Sequence, residues 1–323
     1  MSNKRNLAHF NENNEQNIKS RKIDQNHNLD ARIKIAEYLA LAKCYMSGIY
    51  LKKDLSKGME LLQKCAELKN NDALFFLGTC YQTGFGVIKN QKIAYDFFTL
   101  AANAGFVEAK VSLGVCYQEG HGVKRNYTKA VELYNEAANE GSMMALNNLG
   151  ICYRYGYGVK QNFEAAFKKF KCVAKDKYYK DSDAQCNFGE CYYNGTGTEQ
   201  NYDKAFKYFA LAKNAGNPIG IYYLAICFEC GHGIEKNETK AIELYTLAAQ
   251  KGVAKAQNYL GSCYKKGLNV EKNLNNAVEL FTQASKGGNL YAMYNLGLCY
   301  LAGDGVKKDI EKAFEMFVKC LKL

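Results

Sequence analysis

Residues 109–141 read AKVSLGVCYQEGHGVKRNYTKAVELYNEAANEG. Residues 73–105 read ALFFLGTCYQTGFGVIKNQKIAYDFFTLAANAG and align with them without a gap, at a spacing of 36 residues. The same register returns along the chain, with one interval of 39 residues where the segment KDKYYKDSD lacks the usual glycine. A period of this length indicates a repeat architecture. We number eight repeats by their first residues: Glu37, Ala73, Ala109, Ala145, Ala184, Gly220, Ala256 and Ala292.

Each repeat begins with the pattern of an amphipathic helix. We count positions as offsets from the first residue of a repeat. A small residue at offset 0, Leu or Phe at offset 4, Cys at offset 7 and Tyr or Phe at offset 8 follow the period of one helical face. Offset 5 is Gly or Ala, which we expect to admit a neighbouring backbone. Offset 11 is Gly in all eight repeats, where a helix end needs a left-handed residue.

The second half of each repeat predicts another helix. Offset 17 is Asn or Asp in every repeat, and both are strong N-cap residues. Small residues at offsets 21 and 28 flank a large apolar residue at offset 25 on one stripe. One such hairpin cannot bury its stripe alone, whereas stacked hairpins can. The sequence therefore predicts an all-α fold: a right-handed α-solenoid, or superhelix, of eight helix–loop–helix repeats of about 36 residues over residues 31–323.

The composition agrees with helices joined by glycine turns. The 323 residues include one Pro and 28 Gly, with 48% hydrophobic and 23% charged residues. The Asn-rich residues 1–30 contain few apolar anchors, and we expect a disordered tail there. They also lack the apolar core of a secretory signal, and no run of 18 apolar residues predicts a membrane span. We therefore expect a cytoplasmic protein with reduced cysteines and no membrane partner.

The pattern A-x3-LG-x-CY-x2-G-x-GV resembles the Sel1-like repeat (SLR) family, a relative of the tetratricopeptide repeats. The tetratricopeptide period is 34 residues, and the two additional residues and the G-x-GV loop favour the SLR branch. The resemblance covers about nine-tenths of the chain. It implies scaffolding and adaptor roles. Some secreted members carry a disulfide within each repeat, but the second Cys of that pair is missing here.

The thirteen cysteines do not predict a metal or redox site. Eight of them occupy offset 7, so each belongs to a different layer of the stack, and we expect small core residues there. Cys186 and Cys230 fall on the opposite helical face, where exposure is possible. No cofactor or metal is expected.

Other residues that could carry chemistry are isolated. His121 and His232 lie between loop glycines three repeats apart, and we expect solvated side chains. Ser262 and Lys265 match the S-x-x-K motif of penicillin-binding enzymes, but no SDN or KTG partner motif follows. The sequence therefore predicts a protein that is not an enzyme.

A candidate binding surface lies on the first helix, opposite its core face. Offsets −1, 2, 6, 9 and 10 share this face, which lines the concave groove in related solenoids. Tyr, Arg and Asn, which occur there, suit adaptable protein interfaces. The candidate groove residues are Asn147, Arg154, Tyr155, Glu190, Tyr193, Tyr222, Asn258, Lys265, Lys266 and Tyr294.

We expect a non-catalytic scaffold or adaptor that binds a protein or peptide in this groove. The net charge of +11 comes from 38 Lys and only 5 Arg, spread along the chain, which argues against a nucleic-acid surface. An RNA-binding helical repeat and a hydrolase like the secreted relatives remain the alternatives. Apolar residues of the last helix, Phe317, Val318 and Leu321, leave self-association through the C-terminal edge possible.

Overall fold

The computed structural model describes residues 33–321, and this part of the chain is all-α. It contains sixteen helices, two in each repeat. They are α1 (33–47), α2 (Leu55–Glu67), α3 (Asn71–Thr83), α4 (Gln91–Asn103), α5 (Val107–Glu119), α6 (Tyr127–Asn139), α7 (Met143–Tyr155), α8 (Phe163–Ala174), α9 (Ser182–Asn194), α10 (Tyr202–Asn214), α11 (Pro218–Cys230), α12 (Glu238–Gln250), α13 (Ala254–Lys266), α14 (Leu274–Lys286), α15 (Leu290–Ala302) and α16 (Ile310–Leu321).

The helices fall into two compact units, whose described parts are residues 33–142 and 143–321. Within each unit, every first helix packs against the second helix of its own repeat, and successive repeats pack in chain order. This confirms the prediction of an all-α solenoid of eight repeats. The predicted tail over residues 1–30 lies outside the described residues.

Local signals place the helix ends where the sequence predicted them. The Asn or Asp at offset 17 caps the second helix in all eight repeats; Asn162 Oδ1, for example, accepts a hydrogen bond from the backbone N–H of Ala165 at 2.9 Å. The glycines at offset 11 all adopt positive φ, from 68° to 83°. The first helices therefore end in the left-handed conformation that glycine adopts at low cost.

Glycine at offset 5 serves a purpose different from the predicted one. It admits the aromatic ring at offset 25 of its own repeat rather than a neighbouring backbone. A Cβ atom added at Gly150 would lie 2.5 Å from Cε1 of Phe170, which is fully buried. The same contact occurs in the pairs Gly78–Phe98, Gly114–Tyr134, Gly189–Phe209, Gly261–Phe281 and Gly297–Phe317. Repeats 1 and 6 carry Ala42 with Leu62 and Ala225 with Tyr245.

At offset 4 the predicted core face is buried, with an exception in repeat 1, whereas the aromatic residue at offset 8 is half-buried in every repeat except repeat 6, where Phe228 is buried. Leu77 and Leu149 at offset 4 are fully buried, but Leu41 at the same offset is 42% exposed. In α1 the inward positions are instead Ala42 and Met46, which join the apolar cluster formed with α2 and α3. The prediction that Leu41 belongs to the core is therefore wrong.

Candidate functional site

Arg154 lies at the junction between repeats 4 and 5 and is only 8% exposed. From α7 its guanidinium reaches α9: Nη1 donates to Glu190 Oε2 at 3.1 Å, and Nη2 donates to the Asn187 carbonyl at 2.8 Å. Nη2 also contacts Cys191 Sγ at 3.2 Å, and the group lies over the Phe170 ring at 4.7 Å. The side chain therefore joins two consecutive first helices instead of lining an open surface.

Burial controls the electrostatics of this junction. It raises the pKa of Glu190 above its ordinary value, against the opposing effects of Arg154 and Lys255. Burial likewise raises the pKa of Cys191, again opposed by Arg154. The Arg154 guanidinium beside Glu190 therefore favours the charged carboxylate, which burial disfavours.

Offset 9 has the same inter-repeat role in two other predicted groove residues. Lys265 Nζ pairs with Asp304 Oδ2 at 3.1 Å and contacts Cys299 Sγ at 3.8 Å, both in the following repeat. Tyr193 Oη lies 3.1 Å from Nδ1 of His232, also in the following repeat. These side chains hold one repeat to the next.

Asn147 and Asn258, at offset 2, form a second kind of inter-repeat bond. Asn187 Nδ2 donates to Asn147 Oδ1 at 3.1 Å, and Asn295 Nδ2 donates to Asn258 Oδ1 at 3.0 Å. Both bonds join offset 2 of one repeat to offset 3 of the next. Asn147 is 7% exposed, so this predicted contact residue lies within the junction.

Three of the predicted residues come together in one recess of about 510 Å³. Tyr155 and Tyr222 line it, and Glu190 lies among them. Tyr155 is 55% exposed, whereas Tyr222 is half-buried with its ring 5.9 Å from that of Tyr245. We call this recess the tyrosine recess; its lining is Tyr155, Glu190, Pro218, Ile219, Tyr222, Tyr223, Lys251, Gly252, Val253, Ala254, Lys255 and Gly287.

Sequence reasoning missed two important members of the tyrosine recess. Tyr223 is half-buried, its ring stacks on Phe209 at 4.8 Å, and its side chain lies close enough to Glu190 to lower the pKa of that carboxyl. Lys255, at the exposed offset −1 of repeat 7, lies close enough to lower the pKa of Glu190. The available signal was the consecutive pair of tyrosines at offsets 2 and 3 in α11, which no other repeat carries at these offsets.

Two predicted residues lie away from the tyrosine recess. Lys266 is exposed at the end of α13. Tyr294 is 51% exposed, and its ring lies 5.5 Å from that of Phe317 in the last repeat. Phe317 and Val318 are themselves half-buried, while Ile310 and Phe314 of α16 are exposed.

The offset-7 cysteines are core residues, as predicted, in seven of the eight repeats. Burial raises the pKa of Cys116 and of Cys152 to about 11, and that of Cys227 to about 12. Cys230 is exposed, but Cys186 is only 3% exposed, and burial raises its pKa. The sequence left the exposure of these two cysteines open; Cys186 is buried because α10 and α11 cover that face of α9.

The isolated histidine and serine candidates are engaged in packing. His232 is not a solvated loop side chain: its ring stacks on Tyr202 with centroids 3.9 Å apart. His121 is half-buried with its Nδ1 enclosed. Ser262 Oγ donates to the Asn258 carbonyl at 3.1 Å, while Lys265 pairs with Asp304. The serine and the lysine of the S-x-x-K match thus have separate structural partners.

The expectation that the positive charge is spread evenly fails at the end of α8. Residues 168–180 contain six lysines and one acid, Asp176, so they carry +5 of the net +11. The three additional residues of the irregular interval fall here, and five of the six lysines are exposed.

Two kinds of feature are absent from residues 33–321: a membrane-spanning helix and a cluster of metal ligands. No helix there combines the length and apolar character that a bilayer crossing requires. No group of three or more His, Cys, Asp or Glu side chains in that range is placed to hold a metal ion.

Comparison with protein families gives eight matches to the Sel1 repeat. They cover residues 38–70, 71–106, 107–142, 144–168, 182–217, 218–253, 254–289 and 290–319. The fourth match ends at residue 168 and the fifth begins at residue 182, so the lysine-rich segment lies outside the family pattern. No curated protein sequence matches the chain.

Two solved structures are similar over most of the chain. A protective antigen present in uropathogenic Escherichia coli strains, which displays an SLR fold, is 27% identical with a TM-score of 0.59. The match covers 89% of this chain and 61% of that chain, so this chain spans about three fifths of that protein. A Sel1 repeat protein from Oxalobacter formigenes is 25% identical, with a TM-score of 0.60 and coverage of 91% and 86%. Because the eight family matches together cover most of its residues, the chain belongs to the Sel1 repeat family.

Proposed function

We propose that this Sel1 repeat protein is a non-catalytic scaffold that binds a segment of a partner protein in the tyrosine recess. Repeat proteins of this kind are typically protein-interaction scaffolds. The observation that carries the proposal is the convergence of Tyr155, Tyr222 and Tyr223 with Lys255 around one recess of about 510 Å³.

The chemistry of the recess suits a peptide with an apolar or aromatic side chain. Tyrosine rings offer a large contact area at low conformational cost, and their hydroxyl groups add hydrogen bonds. Lys255 and Lys251 are exposed at the rim, where charges guide association more than they add affinity.

The junctions between repeats prepare this surface for binding. Arg154 and the Asn147–Asn187 bond fix α7 against α9, which carries Glu190. Because these bonds exist before any partner arrives, little ordering of the first helices is needed on binding. Arg154, a predicted groove residue at offset 9, thus supports the binding surface without lining the tyrosine recess.

The double variant Tyr155→Ala/Lys255→Ala tests the proposal. Both side chains are exposed, so the variant should keep the melting temperature and helical content of the wild type. Affinity purification from the source cells with quantitative mass spectrometry should show at least one partner that the wild type retains and the variant loses.

The matched control is Tyr178→Ala/Lys180→Ala, which removes the same residue types from the exposed lysine-rich segment. We expect the control to retain the partner. Equal recovery of every partner by the recess variant and the wild type contradicts the proposal. Loss of the partner in the control alone assigns that partner to the lysine-rich segment instead.

A further inference from the structure

The end of α8 and the connection to α9 form a second surface, separate from the tyrosine recess. The three additional residues lie in this segment, which carries +5 in thirteen residues. The Sel1 pattern does not extend over residues 169–181, so the lysines are not required by the repeat architecture.

The lysines of this segment share one face. Lys168, Lys171 and Lys175 are spaced three and four residues apart along α8 and its last turn, so their side chains project from the same side of the helix. Together with Cys172, Asp176 and Lys177 they line a shallow recess of about 480 Å³. Asp176 is half-buried, and the other five side chains are exposed.

Nearby acids neutralise little of this charge. Asp176 accepts the backbone N–H groups of Tyr178 and Tyr179 and is held in the turn. Lys168 pairs with Glu164 at 2.9 Å, but both side chains are about 70% exposed, and such pairs are weak. Among the described residues, the structure shows no ion pair for Lys171, Lys175 or Lys177.

The segment is anchored at both ends. Val173 is fully buried beneath it, and Asp181 caps α9 by accepting the N–H of Ala184 at 2.8 Å. Between these anchors Tyr178, which follows Lys177 directly in the sequence, is 91% exposed. An anchored segment with an exposed ring and unneutralised cations is suited to recognition rather than to core packing.

We propose that Lys171, Lys175, Lys177 and Tyr178 form a docking surface for an acidic protein segment that carries an apolar residue. Charge complementarity supplies the attraction, and the Tyr178 ring supplies the apolar contact. Single-stranded nucleic acid is the less suitable ligand. Surfaces that bind it combine arginines with several stacking rings, whereas this segment contains no Arg and one fully exposed aromatic residue.

Fluorescence anisotropy with the full chain tests this assignment. The probe is a labelled peptide of about twelve residues, rich in Glu and Asp, with one central Phe, measured at about 50 mM salt, where screening is moderate. The variant Lys171→Gln/Lys175→Gln/Lys177→Gln should weaken binding about tenfold or more, because three ammonium groups leave one site. Tyr178→Ala should weaken it at unchanged net charge.

The control variant is Lys124→Gln/Lys160→Gln/Lys307→Gln, which removes the same charge from exposed loop positions in three different repeats. We expect it to bind within about twofold of the wild type, since dispersed charges contribute only weakly. Equal weakening in both triple variants overturns the proposal, because binding then follows net charge alone.

Two further arms separate this proposal from its rivals. The tyrosine-recess variant Tyr155→Ala/Lys255→Ala should bind the acidic peptide normally, so failure of one proposal leaves the other intact. A labelled uridine oligonucleotide of similar charge should bind more weakly than the peptide. Tighter oligonucleotide binding that the clustered triple variant abolishes would assign the surface to nucleic acid and overturn the peptide proposal.

Discussion

Gly150 shows how one missing side chain positions a whole hairpin. The Phe170 ring occupies the space that the methyl group of an alanine at this position would take, and this contact packs the two helices of the repeat against each other. The contact belongs to a single repeat, so it does not depend on what is stacked above or below.

Gly150→Ala should therefore destabilise the protein. In an exposed helix the change would add up to about 1 kcal/mol of stability, but overpacking against a buried ring costs about 1–3 kcal/mol. We expect a net loss of about 1 kcal/mol, measured by urea unfolding.

The double variant Gly150→Ala/Phe170→Leu reproduces the natural pair Ala42–Leu62 of repeat 1 and serves as its control. The free energy of unfolding of the double variant should be higher than the value obtained by adding the separate effects of Gly150→Ala and Phe170→Leu. Strict additivity of the two changes would show that the ring does not occupy this space.

The cysteines separate by accessibility. Cys172 and Cys230 are exposed, whereas offset-7 thiols such as Cys116 and Cys152 are buried, and burial raises their pKa to about 11. The pKa of Cys230 is also raised, by partial burial, but its thiol is accessible. Because the thiolate is the reactive form, brief alkylation near neutral pH should modify Cys172 and Cys230 first. Peptide mass mapping checks this, with urea-unfolded protein as the fully reactive control. Early labelling of Cys116 would contradict the described packing.

At the scale of the element, the two basic residues at offset 9 allow a matched comparison. Arg154 and Lys265 both reach the offset-7 cysteine of the next repeat, but Arg154 is buried and Lys265 is more exposed. Arg154→Met leaves the Glu190 carboxyl in the junction without its cation, which should cost about 3 kcal/mol. Lys265→Met should cost less than about 1 kcal/mol. Equal losses of unfolding free energy in the two variants would show that Arg154 contributes no more to stability than Lys265.

Glu190 should give the junction a pH dependence. Burial raises the pKa of Glu190 in the folded state above the ordinary value of 4.5. The folded state therefore binds this proton more tightly than the unfolded state, and the corresponding stability is present below pH 4.5 and lost as pH rises through the raised pKa.

The variant Glu190→Gln isolates this effect. The stability of the wild type minus that of Glu190→Gln should fall as pH increases through the window just above 4.5. Unfolding curves at a series of pH values measure it. A difference that rises with pH instead would mean that Arg154 lowers the pKa of Glu190 more than burial raises it.

The contacts at the junctions between repeats could not be predicted from the sequence, whereas the helix ends could. The Asn cap at Asn162 and the left-handed Gly156 follow from local backbone chemistry, so the repeat pattern predicted them correctly. A helical wheel also separates the core face from its opposite. It cannot show that offset 9 is covered by the next repeat, because that depends on how two hairpins pack. Arg154 was therefore assigned to an open groove, although it is buried.

The tyrosine recess was predicted in part for the same reason. Tyr155 and Tyr222 were identified from the exposed face of one helix, which is a property of the local sequence. Tyr223 and Lys255 were missed because their positions follow from the relation of α11 to α9 and to α13. A useful signal is a residue pair 36 to 39 positions apart, such as Arg154–Glu190 or Lys265–Asp304, with complementary charge.

At the scale of the whole molecule, nearest-neighbour packing predicts a local response to local damage. Arg154→Met should speed amide hydrogen exchange in α7 to α9 and leave exchange in α2 to α5 close to that of the wild type. Exchange followed by mass spectrometry resolves the two regions. Uniform acceleration along the chain would show that the molecule opens as one cooperative body.

The offset-9 contacts also bear on how such a chain can change in evolution. The glycine–ring contact lies inside each repeat, so a recombination event that removes or copies a complete repeat would preserve it. The contacts of Arg154, Tyr193 and Lys265 each require a particular neighbour, and a shuffled order would place them beside residues that do not complement them. The repeats are therefore alike in structure but not interchangeable in sequence, so their order is inherited together with the sequence of each one.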